Sequence, residues 1–162
     1  MTDDLWKIYN ANKDWIKFSD TKAIAFIAII GILFNVLFNI IDEIIILSNF
    51  NIIKILYFIS IGLLSFSLLF SICCLCPRTG RHDRVDNNVI YYETINNDFK
   101  NEKEYYDAVK DSFCDFEEQL CAQNYQLAKI ATIKYSFVKW ALILFAFGFI
   151  LIILLMILLK VG

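Results

Sequence analysis

The sequence predicts an all-α integral membrane protein with three transmembrane helices and a polar helical region, assembled as a homo-oligomeric bundle. Three observations predict it. Of 162 residues, 59% are hydrophobic, above the roughly 45–50% apolar usage of soluble domains, and the mean hydropathy is +0.57. The apolar side chains are gathered into three long uncharged runs, Ala23 to Ile41, Ile55 to Cys76 and Trp140 to Leu159. Each reaches or approaches the ~20 residues that cross ~30 Å of hydrocarbon at 1.5 Å per residue. The polar segments outside these runs repeat with a helical rather than a strand period.

Residues 1–22 read as an amphipathic helix, because Leu5, Ile8, Tyr9, Trp15 and Ile16 recur among Asn, Asp and Lys. No Gly or Pro occurs before Gly31, so this helix is expected to run straight into the first span. Asp3 and Asp4 open the chain where a signal peptide would be basic, so the first span is expected to be retained. Residues 23–48 hold span one and an outer turn, and 49–76 hold span two. Pro77 and Gly80 end span two, and residues 77–135 form the polar helical region. There Tyr106, Val109, Phe113, Phe116, Leu120, Gln123, Leu127, Ile130, Lys134 and Phe137 recur in alternating steps of three and four, a heptad seam with polar interruptions at Gln123 and Lys134. With no Gly or Pro between Gly80 and Gly148, the seam is expected to continue into the third span, residues 136–162, as one long helix. It packs either on another copy or on residues 2–21 of the same chain.

Charge sets the orientation. Lys7, Lys13, Lys17 and Lys22 precede span one, and the middle region carries eight Lys and Arg from Arg78 to Lys134, whereas Asp42 and Glu43 occupy the turn between spans one and two. The positive-inside rule then places the N terminus and residues 77–135 in the cytoplasm and the C terminus outside. Net charge is −2, so no whole-chain attraction to nucleic acid is expected.

Within span one, Asn35 and Asn39 are followed by Asp42 and Glu43 at steps of three and four, on one helix face. Polar groups facing lipid are costly, so this face must meet protein or water. It either hydrogen-bonds other helices or, with several copies around an axis, lines a pore with an outer acidic ring. Ser60, Ser67 and Ser71 form a comparable side of span two, suited to close helix packing or to the pore wall. Arg78, Arg81, His82 and Arg84 cluster just past span two. They anchor on anionic lipid headgroups, or in an oligomer form a cationic ring that holds a nucleotide or nucleic-acid phosphate. The five cysteines, three of them at Cys73, Cys74 and Cys76, read as small buried hydrophobes, with zinc binding and lipidation as minor alternatives. One histidine and the lack of any phosphate loop, nucleophile elbow or paired metal motif leave no catalytic constellation, and no cofactor or enzymatic activity is expected.

The stretch Asn12-Lys-Asp-Trp-Ile-Lys-Phe-Ser-Asp-Thr-Lys-Ala23, leading directly into a span, resembles the F-A-D-T-K-A motif of the transmembrane effector family of bacterial Pycsar-type anti-phage signalling systems, with Ser19 in place of alanine. Pro77-Arg78 after span two and Gln123-Asn-Tyr-Gln-Leu-Ala-Lys-Ile-Ala-Thr-Ile-Lys134 before the last span extend the resemblance over nearly the whole chain. It implies a membrane effector of the bacterial inner membrane. A nucleotide or oligonucleotide signal, made by a nucleotidyltransferase or cyclase encoded nearby, would act on it, and the membrane would lose its barrier; a channel held closed by a nucleotide or oligonucleotide and opened when it is removed is equally compatible with the sequence. Many relatives carry a fused cyclic-nucleotide-binding domain. The short helical middle here leaves no room for one, so either it binds a ligand directly or a separate protein senses the signal. Asp20 and Lys22 belong to the resembling motif and are expected to meet Lys134 and nearby acids where spans one and three leave the membrane. The expected assembly is an ion-conducting homo-oligomer, with four copies as the expected number. The competing reading is a nonconducting anchor whose cytoplasmic helices recruit a partner.

Overall fold

The computed structural model describes residues 2–42, 44, 51–77, 89–90, 92–111 and 116–161, and among these there is no strand. Among the described residues five helices follow one another: α1 (Thr2–Asn39), α2 (Asn51–Leu75), α3 (Tyr92–Asp98), α4 (Glu102–Asp111) and α5 (Phe116–Val161). Three of them, α1, α2 and α5, are long and apolar enough to cross a membrane. The chain divides into two compact units, residues 1–17 with 77–133 and residues 18–76 with 134–162.

As the absence of helix breakers predicts, α1 passes without interruption from its polar start into the apolar run, and α5 does so between Ile130 and Trp140. Both helices follow a strict 3.5-residue repeat. On α1 the inward positions are Leu5, Tyr9, Asn12, Ile16, Ser19, Ala23, Phe26, Ile30, Leu33, Leu37, Ile40 and, just beyond the helix, Ile44, all buried or half-buried in steps of four and three. On α5 they run Leu120, Asn124, Leu127, Ala131, Lys134, Val138, Ala141, Phe145, Gly148, Ile152, Leu155 and Leu159. The fully covered positions of α2, Tyr57, Ser60, Leu64, Ser67, Ser71 and Cys74, keep the same steps. A 3.5 repeat keeps one stripe facing its neighbours along a left-handed supercoil.

The apolar unit is held by a core of Ile30, Leu37, Ile44, Tyr57, Leu64, Ile152 and Leu155, with Ala23, Cys74 and Val138 packed together as a second cluster. Polar atoms on its inner surface find partners. Ser67 Oγ donates to the Ala141 carbonyl at 2.8 Å, joining α2 to α5, and Tyr57 OH donates to the Leu37 carbonyl at 3.2 Å, joining α2 to α1. Gly148 lets α5 lie close on α2: a Cβ there would sit 3.2 Å from Leu64 Cδ2 and 3.4 Å from Leu63 Cβ.

In the polar unit, the start of α1 packs on the start of α5. Trp6 lies 6.2 Å from Phe116 by ring centroids. Asn124 donates from Nδ2 to the Leu5 carbonyl at 3.0 Å, and its own carbonyl accepts from Asn12 Nδ2. Among the described residues the start of the α5 seam therefore packs on α1 of the same chain, with Asn124 Oδ1 buried and without a hydrogen-bond partner. Leu120, Leu127 and Lys134 stand on the seam as expected, while Asn124 and Val138 are buried where the sequence pattern indicates their half-buried neighbours Gln123 and Phe137. Nor is the region before α5 one helix. Asn101 Oδ1 accepts from the Glu104 amide at 2.9 Å while Glu104 Oε2 accepts from the Lys100 amide at 2.9 Å, a reciprocal capping arrangement that starts α4 afresh after α3. No residue of α4 is buried, and Tyr106, expected in the seam, is exposed. Val89 instead docks this segment: its amide donates to Gln119 Oε1 on α5 and its carbonyl accepts from Tyr105 OH.

Candidate functional site

The exteriors of the three apolar helices differ in chemistry. α2 turns out Ile55, Phe58, Ile59, Phe66, Leu69 and Ile72, and the apolar half of α5 turns out Phe147, Ile150, Ile153, Leu154, Met156 and Ile157, side chains suited to lipid tails. α1 and the turn beyond it show a stripe at the same steps of four and three, Thr21, Ala25, Ala28, Ile32, Asn35, Asn39 and Asp42, all exposed, flanked by exposed Ile24, Ile29 and Phe38. Six of these seven side chains are small or polar, and Gly31 lies beside them, open to the outside with nothing within 4 Å of its would-be Cβ. The stripe lies opposite the inward seam, because a 3.5 repeat sets positions seven apart on one line and the two sets half a turn from each other.

Asn39 Nδ2 donates to Asn35 Oδ1 at 2.9 Å. That bond uses one donor and one acceptor, leaving on each amide hydrogen-bonding capacity that the described residues do not fill. Beyond Asn39 the chain makes a further helical turn, with the Ile44 amide donating to the Ile40 carbonyl at 3.1 Å, and Asp42 stays exposed on it. Glu43 lies outside the described residues. Ser60 and Ser67, grouped with these residues by sequence spacing, have fully buried side chains. Ser60 Oγ bonds its own helix at Leu56 and Ser67 bonds α5, so the serines of α2 belong to helix packing and not to an exposed wall.

A second polar locus lies where α1, α2 and α5 converge at the start of the apolar runs. Lys134 occupies an inward position on α5 with a side chain only 8% exposed, and its Nζ contacts Asp20 Oδ1 at 2.5 Å; the Asp20 side chain is 32% exposed. Cys74 on α2 closes the junction, its Sγ 3.9 Å from Asp20 Oδ1, 3.9 Å from the Ser19 carbonyl and 3.7 Å from the Lys134 carbonyl. Lys22 takes no part in the pair. Its ammonium sits 4.2 Å from the centre of the Phe18 ring and 5.8 Å from that of Tyr135, where ring faces stabilise a cation.

Arg78, Arg81, His82 and Arg84 lie outside the described residues. Cys74 is buried as a small hydrophobe would be, but Cys73, Cys76 and Cys121 are exposed free thiols, and no cluster able to hold a metal occurs among the described residues. An open cleft between α3 and α4, lined by Ile95, Asn96, Phe99, Lys100, Asn101, Glu102 and Tyr105, carried no motif that sequence reasoning could single out. Its one aromatic pair, Phe99 edge-on to Tyr105, forms only once the capped turn at Asn101 brings residues six apart together.

The profile of the Pycsar effector protein domain matches residues 4–160. The chain is 33% identical over 137 residues to the Pycsar effector protein SaPycTM of Staphylococcus aureus, covering 84% of this chain and 82% of that one. No solved structure matches it. With a match that spans both polar and apolar units, and with Asp20, Lys22 and the three apolar helices inside it, the chain belongs to the Pycsar effector family of anti-phage defence.

Proposed function

We propose that this effector acts as an oligomeric ion pore. Several copies, with four as the expected number, bring the outward stripe of α1 to a common axis, while α2 and α5 face lipid. The observation that carries the reading is the contrast of exteriors: α1 and the turn beyond it expose Asn35, Asn39 and Asp42 among apolar Ile32 and Phe38, whereas the exposed side chains of α2 are apolar apart from Cys73 and those of α5 from Trp140 to Leu159 are all apolar. A polar stripe left in hydrocarbon costs several kcal/mol per unsatisfied group. Facing water and other copies, it costs far less. Asp42, with Glu43, supplies an acidic outer mouth that concentrates cations.

By the positive-inside rule the N terminus and residues 77–135 lie in the cytoplasm of a bacterial inner membrane and the C terminus outside. There a nucleotide or oligonucleotide signal from a partner nucleotidyltransferase or cyclase reaches the helical unit. Arg78, Arg81, His82 and Arg84 supply the charge for a phosphate or for lipid headgroups. Opening depolarises the cell and arrests it during infection.

Replacing Asn35 and Asn39 together by Leu tests the reading in infected cells. Loss of depolarisation, with the protein still abundant in the membrane, is the expected result. A double variant that still depolarises removes α1 from the pore wall. A wild-type protein that binds its partner yet never changes membrane conductance points to a nonconducting anchor instead.

A further inference from the structure

We infer that the Asp20–Lys134 ion pair is a register lock, holding α1 against α5 in the silent state of the effector and yielding when the signal shifts one helix past the other. The inference rests on the reading that α1 lines the conducting path.

The argument starts from where the charge is placed. Lys134 occupies a position in the 3.5 repeat of α5 whose flanking members are Ala131 and Val138, and on α1 the nearby members of the seam are Ser19 and Ala23. A buried ion pair is weak evidence for stability, because an apolar pair of similar volume commonly does as well. What a single polar position in a heptad seam does specify is register. Here Asp20 is the acidic group that Lys134 meets, at 2.5 Å. A slide of α5 by one turn, about 5.4 Å, would carry the ammonium toward Ala23 and Phe26, where no acid stands within the α1 sequence until Asp42. A slide in that direction therefore strands a buried charge.

The junction is also built for close approach. Ser19, Ala23 and Cys74 are small and buried, and Cys74 Sγ contacts groups on both α1 and α5, so displacement of either helix is felt by all three. Both α1 and α5 are unbroken through this point. An effector must stay silent until its signal arrives, so the register that the chain itself favours is the silent one.

The test is membrane potential, read by a voltage-sensitive dye in bacteria carrying the full chain without any signal-producing partner. The variants are Asp20→Asn with Lys134→Met, which removes the pair without leaving a lone buried charge, and Asp20→Lys with Lys134→Asp, which restores it reversed. Membrane abundance is measured for each. The lock predicts at least about a tenfold rise in depolarised cells for the neutral pair and a return toward silence for the reversed pair. A pair that is merely structural would lower abundance or activity and would never raise activity without a signal. Should the neutral pair fail to accumulate, Asp20→Asn alone decides, because it weakens the pair yet leaves Lys134 an oxygen to bond: depolarisation without signal keeps the lock, and silence without signal overturns it. A neutral pair that is silent and responds as wild type does overturns the lock while leaving the pore intact. Adding Asn35→Leu and Asn39→Leu to the neutral pair separates the two claims. Signal-independent depolarisation that survives those changes keeps the lock and removes α1 from the pore wall.

Discussion

Two glycines that sit on different sides of the helices separate the fold of one chain from the assembly of several. Gly148 on α5 meets α2: a Cβ added there would lie 3.2 and 3.3 Å from Leu64 and 3.4 Å from Leu63. Leu64 is fully buried, so it has little room to retreat. Alanine at 148 gains up to about 1 kcal/mol in helix propensity and spends part of it displacing Leu64, for a net change near zero. Valine adds two methyl groups where α2 already is, an overpacking that costs about 1–3 kcal/mol. At about 2–4 °C per kcal/mol for a chain of this size, the unfolding midpoint should fall by about 2–12 °C. Gly31 on α1 has nothing within 4 Å, so Gly31→Val should leave the folding of the single chain unchanged. It does, however, place a branched side chain beside Ala28 and Asn35 on the outward stripe, and should weaken association of the copies. Tryptophan fluorescence from Trp6, Trp15 and Trp140 follows thermal unfolding in a detergent that disperses monomers, and light scattering in a milder one gives the mass of the assembly. A Gly148→Val midpoint equal to wild type would refute the α2–α5 contact. A Gly31→Val protein with unchanged mass, or with a midpoint lowered like that of Gly148→Val, would refute the placement of the stripe between copies.

Ser67→Ala should cost only about 0.6 kcal/mol, the usual worth of an interhelical hydrogen bond in a membrane, whereas Ser67→Leu at the same fully buried site should prevent accumulation; equal abundance of both variants in membranes would contradict the α2–α5 bond. Orientation can be read with a membrane-impermeant maleimide: the exposed thiols Cys76 and Cys121 should label in inverted vesicles and not in intact cells, and labelling of intact cells would reverse the assignment of sides.

Much of the fold is legible in the sequence because its signals are physically strong. Three apolar runs fix three spanning helices, and the lack of any breaker before Gly31 or between Phe116 and Gly148 fixes the continuity of α1 and α5. Legibility fails where adjacent residues carry the same signal. Gln123 and Asn124, or Phe137 and Val138, serve a heptad about equally well, and only packing buries the second of each pair. The inward face of α1 is hidden for another reason. Its seam uses Asn12, Ser19 and Ala23, small and polar residues that do not announce a core, while the more conspicuous Ile8 and Trp15 end up exposed. The break before α4 was signalled by Asn101 and Glu104, a cap pair that the absence of Gly and Pro obscures. At the candidate site, spacing placed Asn35, Asn39 and Asp42 on one face but could not say which way it turned. Spacing also grouped Ser60 and Ser67 with them, because a stripe of small polar residues looks the same whether it faces a neighbouring helix or the outside.

The claim that α1 forms the wall of a conducting path is tested most directly by reversal potentials of the purified protein in planar bilayers under asymmetric KCl, for wild type and for Asp42→Asn with Glu43→Gln. An acidic outer mouth repeated around the axis should make the wild-type pore cation-selective, and the double substitution should move the reversal potential toward zero. Anion selectivity in the wild type, or a reversal potential that the substitutions leave unchanged, would contradict a pore lined by the outward face of α1.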